Sequence, residues 1–433
     1  MSRVIRKTRS VCPVCLKNIP AQLSREDAGQ IFLEKACPEH GSFRVPVWEG
    51  KLDFDRWLLG AEPLASEAGL HCPENCGICG EHEIGTCCAL LEVTERCNLR
   101  CRYCFADGGS RDRELPFEEC REAIRDIVRQ CGQPLLQFSG GEPTLRDDLP
   151  ELVRFAKEAG CSYTQVNTNG IRIAEDPGYA GRLKEAGLDI VFLQFDGTED
   201  SIYETLRGRP LLETKLEAIH VCTALRIGVT LVPTVVRGVN DRNLGAMVEL
   251  AASLAPGVRG IHFQPVSYFG RYPGVPAAEE RYTLDRLMAD LSEQAEIPIE
   301  SFMPSRCDHP LCGFHASFLI DPKGGLRPLS SIAHSAPKCG CEQDNREYVA
   351  RHWRRAPDEP QPSGDFAEEM DFDTFLYRLR HASLTLSAMA FQDAMNLNIE
   401  RLHRCSLHVW DKGKIKPFCA KYLSPYETIG GSL

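Results

Sequence analysis

A chain of 433 residues, 43% hydrophobic and 26% charged, is long enough for one large domain with smaller modules attached. Its formal net charge of −11 argues against nucleic acid as a partner. Its 21 cysteines, an odd number set in tight groups, suit metal ligation rather than a disulfide framework and point to a reducing, cytoplasmic setting. The basic start, Met1 to Ser10, lacks the apolar core of a signal peptide, and no apolar run reaches the length of a transmembrane segment.

Residues 1–50 read as a small metal-binding module. Cys12-Pro13-Val14-Cys15 and Cys37-Pro38-Glu39-His40 form two knuckles able to grip one tetrahedral ion. Cys12, Cys15, Cys37 and His40 are the candidate ligands, and the histidine favours zinc over iron. A segment this short builds little core, so the metal would stabilise it directly.

Residues 51–87 read as a connector, with Trp48, Phe54, Trp57 and Leu58 pinning it to the main body. It ends in Cys72-x3-Cys76-x2-Cys79, with Cys87 and Cys88 shortly after. Cys72, Cys76, Cys79 and Cys87 could close a 4Fe–4S cluster; a zinc knuckle is the rival reading. Cys88 would then point the other way, because side chains alternate along a strand.

Residues 88–270 repeat strand and helix regularly. Strands are expected at 89–94, 134–138, 162–166, 189–195, 228–236 and 260–265, with helical periodicity between them. Six such units predict an α/β fold, a partial (β/α)6 barrel of the TIM type, with its site at the carboxyl ends of the strands. The polar motifs fall at those ends. After the first strand comes Cys97-x3-Cys101-x2-Cys104. Three thiolates this close can hold three irons of a 4Fe–4S cluster and leave the fourth open for chemistry. Phe105 would shield one face of it. Gly140-Gly141-Glu142-Pro143 follows the second strand; its glycines permit close backbone approach, and Glu142 can take up an ammonium. Asn167 and Thr168, Gln194 and Asp196, and Thr234 end the next three strands.

Residues 271–433 lose the rhythm. Cys307 and Cys312 lie near its start, Cys405 and Cys419 near its end. A hairpin turning at Gly413 would bring the last two together. These four could hold a second closed cluster, or zinc. His309 is an outlying candidate ligand or acid–base group. Cys339 and Cys341 have no evident partner pair, and residues 354–366 read as a linker or lid.

The Cys97–Cys104 stretch, with Gly140-Gly141-Glu142-Pro143 on a βα rim, resembles the radical S-adenosylmethionine (SAM) superfamily. The terminal pieces narrow the likeness. CPVC…CPEHG, CPENCGIC, LQFDG, FQPV, HPLCG and ERLHRC…PFC resemble the group of archaeal tetraether lipid synthase and the dihydropterin methyltransferase. That resemblance implies a rubredoxin-like or zinc-ribbon-like module before the radical SAM barrel and a C-terminal Fe–S extension after it. It implies a SAM-binding 4Fe–4S cluster, two auxiliary clusters, and zinc or iron in the N-terminal module. Gly140, Gly141, Glu142 and Pro143 would bind the SAM amino group, and the rim polar residues its ribose or carboxylate. The activity implied is reductive SAM cleavage to a 5′-deoxyadenosyl radical, fed by a reduced flavodoxin or ferredoxin-type donor. The radical would serve methylation or carbon–carbon bond formation on a small-molecule or lipid substrate. A pterin-like ring is one candidate substrate and a lipid tail the other. The competing class is a non-catalytic multi-cluster electron carrier, which leaves the glycine motif unexplained.

Overall fold

The protein is described by a computed structural model covering residues 2–59, 69, 71–74, 76–305, 308–329, 342–357, 359–360 and 371–426, with side chains of 342–345 excluded. Its first four strands, β1 (Arg3–Val11), β2 (Asn18–Arg25), β3 (Ile31–Cys37) and β4 (Gly41–Trp48), form an antiparallel sheet in sequence order. Trp48, Phe54 and Trp57 then pack ring against ring beneath it.

The barrel strands are β5 (Cys88–Thr94), β6 (Leu135–Gly140), β7 (Tyr163–Thr168), β8 (Ile190–Gln194), β9 (Gly228–Val232), the short β10 (Thr234–Val235) and β11 (Val258–Pro265). The helices between them bury one face each. In Phe117–Cys131 the buried residues are Cys120, Ala123, Ile124, Ile127 and Cys131, a spacing that makes a single apolar stripe. Outward strand residues such as Leu136, Val166, Leu193 and Ile261 join that helix-covered core, as do Cys161 and Cys222.

The chain beyond residue 271 does not stand apart. It contributes β12 (Met303–Pro304), β13 (Gly313–Ile320), β14 (Leu326–Pro328), β15 (Ser383–Met389), β16 (Leu407–Asp411) and β17 (Lys414–Pro417) to the same sheet. Two of these extend the parallel part: β15 pairs with β11 at one edge and β16 with β5 at the other. The six expected parallel strands therefore become eight, in the order β15-β11-β9-β8-β7-β6-β5-β16. The hairpin expected at Gly413 is β16–β17, and Lys412 and Gly413 both turn with positive φ.

Helix Glu342–Trp353 closes the amino end of this half-open cylinder. Arg346 donates to the carbonyls of Thr86 (3.0 Å) and Gln133 (3.1 Å), and Trp353 packs on Phe192 and His262 inside. The N-terminal sheet docks on the far end of the chain. Ser10 donates to the Leu397 carbonyl (2.6 Å), Lys35 to that of Ala394 (2.7 Å), and Asp285 accepts the amides of Glu49 and Lys51.

Candidate active site

The loop after β5 carries Cys97, Cys101 and Cys104, all partly buried. Arg271 ties it down, exchanging two backbone bonds with Cys104 at 2.9 Å and donating from its guanidinium to the Cys101 carbonyl (2.8 Å) and Asp107 (2.9 Å). The end of β6 clasps the same loop. Gly141 N–H donates to the Thr94 carbonyl and Glu142 N–H to that of Arg96, both at 2.7 Å. A Cβ on Gly140 would lie 2.1 Å from the Thr94 oxygen, and one on Gly141 2.2 Å from the Arg96 oxygen. The close approach these glycines permit is thus to the cysteine loop itself.

These thiols fit a 4Fe–4S cluster. The sulfurs of Cys97 and Cys104 accept the amides of Leu99 (3.4 Å) and Gly108 (3.3 Å), bonds that favour thiolate ligands. Burial, helped by the neighbouring charges of Glu142, Cys101 and Cys104, pushes the Cys97 thiol up to about 12, so a bound iron, not solvent, would keep it ionised.

Glu142 is buried beside them. One carboxylate oxygen accepts Thr144 N–H (3.0 Å) and the hydroxyls of Thr144 (2.6 Å) and Thr168 (2.7 Å). The other accepts Asn169 N–H (2.7 Å) and retains capacity for one further donor such as an ammonium. Asn169 in turn donates to Asn98 of the cysteine loop (2.7 Å).

A cavity of about 150 Å³ opens between these parts. It is lined by Cys97, Cys101 and Cys104 and by Gly140, Gly141, Glu142, Asn167, Thr168, Gln194 and Thr234. Two expected SAM contacts do not reach it. Pro143 is buried at the start of a 3-10 turn. Asp196, wholly buried, makes a two-point ion pair with Arg207 at 2.6 and 2.7 Å and accepts Thr234 N–H (3.1 Å). What lines the cavity in place of Asp196 is Arg207, which also donates to the Thr234 hydroxyl (3.2 Å). Sequence reasoning missed Arg207 and Lys215, whose ammonium donates to Gln194 (2.8 Å). Both lie on helices outside the strand-end motifs, and no local pattern marks them. Arg271 had a weak signal, the Gly270-Arg271 pair after β11.

A second cavity of about 150 Å³ fills the barrel interior. Gln137, Gln165, Phe192, His262, Ser387 and Trp353 are among its walls. Phe105, Asn167, Gln264 and Phe391 line both cavities, so the two share a partition. Phe105 packs in that partition tilted against Phe418 (5.3 Å) and edge-on to Tyr422 (5.0 Å).

The remaining cysteines fall into three places. Cys12, Cys15, Cys37 and His40 place their ligand atoms within 4.8 Å of one another. Their separations of 3.4 Å (Cys37–His40), 3.6 Å (Cys12–His40) and 4.0 Å (Cys15–Cys37) fit a tetrahedral zinc with Zn–S near ~2.3 Å. Cys72 lies 3.5 Å from His403, and Cys76 feels the charges of Cys72, Cys79 and Cys405. Cys79 is exposed. Cys87, the expected fourth ligand there, lines the barrel cavity, as does Cys88, whose thiol points at Gln137 (3.8 Å). Cys405 feels Cys312 and Cys419, the three remaining described members of the C-terminal group. The sulfurs of Cys312 and Cys419 accept from the Arg401 guanidinium and the Gln392 amide, each at 3.3 Å. His309 is buried, accepting Leu311 N–H (3.1 Å). Cys307, Cys339, Cys341 and most of 354–366 lie outside the described residues.

Comparison with known proteins agrees with this geometry. Residues 91–251 match the radical SAM superfamily, and residues 4–49 match the HMPTM N-terminal zinc ribbon domain. The 7,8-dihydro-6-hydroxymethylpterin dimethyltransferase of Methanocaldococcus jannaschii is 32% identical over 96% of this chain and 92% of its own. This chain belongs to the radical SAM superfamily. It is an enzyme of the group that contains that dimethyltransferase, and its cofactors are a 4Fe–4S cluster and SAM. The Fe-coproporphyrin III synthase of Methanosarcina barkeri is 37% identical over 36% of this chain and 39% of its own. Among solved structures, native anSMEcpe with bound AdoMet and Cp18Cys peptide matches with TM-score 0.39 and 20% identity, covering 48% of this chain and 59% of that one. The electron-carrier reading is thereby replaced by an enzymatic one. No helix among the described residues is long and apolar enough to cross a membrane.

Proposed function

We propose that this radical SAM enzyme methylates an unactivated carbon of a pterin-like heterocycle. The observation that carries the reading is the shared partition. A cavity faced by three cysteines and the glycine motif abuts a second cavity walled by amides and aromatic rings. Lipid-tail coupling, the alternative, is disfavoured by that second cavity, because an alkyl chain would leave Gln137, Gln165, Asn167, Gln264 and His262 facing hydrocarbon. The name of the relative from M. jannaschii supports the pterin reading.

In this reading Cys97, Cys101 and Cys104 hold the cluster. When bound and reduced by a flavodoxin or ferredoxin-type protein, one electron per turnover, the cluster supplies homolytic cleavage of SAM. The spare lone pair of Glu142 takes the SAM ammonium, and Arg207, aligned by Asp196, takes its carboxylate. Thr168, Gln194 and Thr234 complete the rim, with Lys215 holding Gln194 in place. Phe105 and Phe391 keep water from the space between the two cavities. The Cys72–Cys76–Cys79 and Cys307–Cys312–Cys405–Cys419 groups hold auxiliary clusters, and the abundant free thiols suit the cytoplasm.

The test is anaerobic reconstitution followed by assay with 7,8-dihydro-6-hydroxymethylpterin, reductant, SAM and a folate-type one-carbon donor, because SAM cleaved to 5′-deoxyadenosine leaves its own methyl on methionine. Formation of 5′-deoxyadenosine together with a methylated pterin by mass spectrometry is the expected result. Turnover with lipid substrates alone would overturn the reading.

A further inference from the structure

Gln165 sits on the inner wall of the barrel, 1% exposed, opposite Gln137 in the β6–β7 register. Its amide nitrogen donates to the Gln137 oxygen (2.8 Å). Its own amide oxygen is buried and has no hydrogen-bond partner. An unpaired buried acceptor costs about 1–3 kcal/mol, and such a group in a native protein calls for an explanation. Gln165 also lines the barrel cavity, which has room for about ten waters at the ~10–15 Å³ that each requires.

The other walls define what would fill it. Phe192, His262 and Trp353 form a three-ring cluster with centroids 5.3 to 5.7 Å apart. Burial pushes His262 down to about 4, so it is neutral, and its Nδ1 is engaged with the Ser387 hydroxyl at 2.9 Å. The cavity thus offers flat apolar faces, uncharged hydrogen-bonding groups and one carboxylate, Asp308, already engaged by the Ser305 hydroxyl (3.2 Å) and the Ser406 N–H (2.7 Å). That combination fits a planar heterocycle whose edge carries an N–H.

We infer that Gln165 is a specificity-determining residue, its amide oxygen accepting the lactam N–H of a flat heterocycle seated against Phe192, His262 and Trp353. Gln137 fixes the orientation of that amide by accepting its N–H. The inference rests on the pterin reading above and adds the contact that selects the ring.

The test compares 7,8-dihydro-6-hydroxymethylpterin with its N3-methyl analogue, in which the lactam N–H is blocked. Binding to the full-length, cluster-loaded, SAM-bound protein is followed anaerobically by calorimetry. The wild-type protein should bind the unmodified pterin at least about tenfold more tightly than the N3-methyl form. In Gln165→Leu that preference should collapse, while iron content and SAM affinity report an intact fold. Equal affinity of the wild type for both ligands would overturn the inference and leave the pterin reading standing, and it needs no variant to be read. A preference that survives in Gln165→Leu would likewise overturn it. No pterin binding by the wild type would overturn both.

Discussion

Lys215 shows how a single buried charge supports the rim at a cost to stability. It is fully buried, and its ammonium donates to Gln194 and to the Asn169 carbonyl. Desolvation lowers its pKa from 10.5 to about 7, against the attraction of Asp196. The folded state therefore releases a proton that the unfolded chain retains between those values. Stability should rise with pH across about 7 to 10.5, and the full penalty should be felt below about 7. We expect Lys215→Met to flatten that slope. The check is denaturant unfolding of both proteins, cluster-loaded, at pH 7 and pH 9.5. An identical pH slope in the two would show that Lys215 is not the titrating group. Glu142 contrasts with it, because its charge is met by four donors from its own chain and needs no distant cation.

Among the elements, the junction of β6 with the cysteine loop is the tightest fit. Gly140 and Gly141 end the strand where the backbone at Thr94 and Arg96 leaves no room for a Cβ, and neither obstacle is a flexible side chain. Gly141→Ala must therefore move the loop or the strand end. We expect about 1–3 kcal/mol of lost stability and a lower iron content after reconstitution, because the three sulfurs would no longer converge. Gly181→Ala is the control. It lies in the helix Pro177–Glu185 with no atom near its would-be Cβ, so it should be neutral or slightly stabilising. Matching iron contents in the two variants would refute the clasp.

At the scale of the whole molecule, the zinc ribbon acts as a brace. Several of its contacts fall on the segment around Ala394, Leu397 and Asn398, the last accepting the Thr8 hydroxyl at 2.7 Å. That segment begins with Phe391, a wall of both cavities. Metal binding contributes directly to the order of so small a module, alongside Leu23, Ile31, Leu33, Val45 and Trp48 in the main core. Cys37→Ser should raise hydrogen exchange in β2 to β4 and also across Phe391–Asn398, while β6 to β9 stay protected by the helix-covered core. Exchange changes confined to the ribbon would show that it does not support the partition.

The sequence by itself determined the βα alternation, the spacing of the cysteine groups and the glycine motif. Each of these is local: periodicity, spacing and backbone freedom are properties of short stretches. Gly140, Gly141, Glu142, Asn167, Thr168, Gln194 and Thr234 were legible because strand ends in such folds converge, whatever the packing outside. Only the tertiary structure decided that β15 and β16 extend opposite edges of the sheet, since strand pairing across hundreds of residues leaves no local trace. The same holds for Arg207 in place of Asp196 on the cavity wall, and for Cys87 facing the barrel interior. Spacing says which groups can meet, but which of two neighbouring polar side chains reaches a cavity is set by burial and pairing, and those are fixed only when the whole chain has packed.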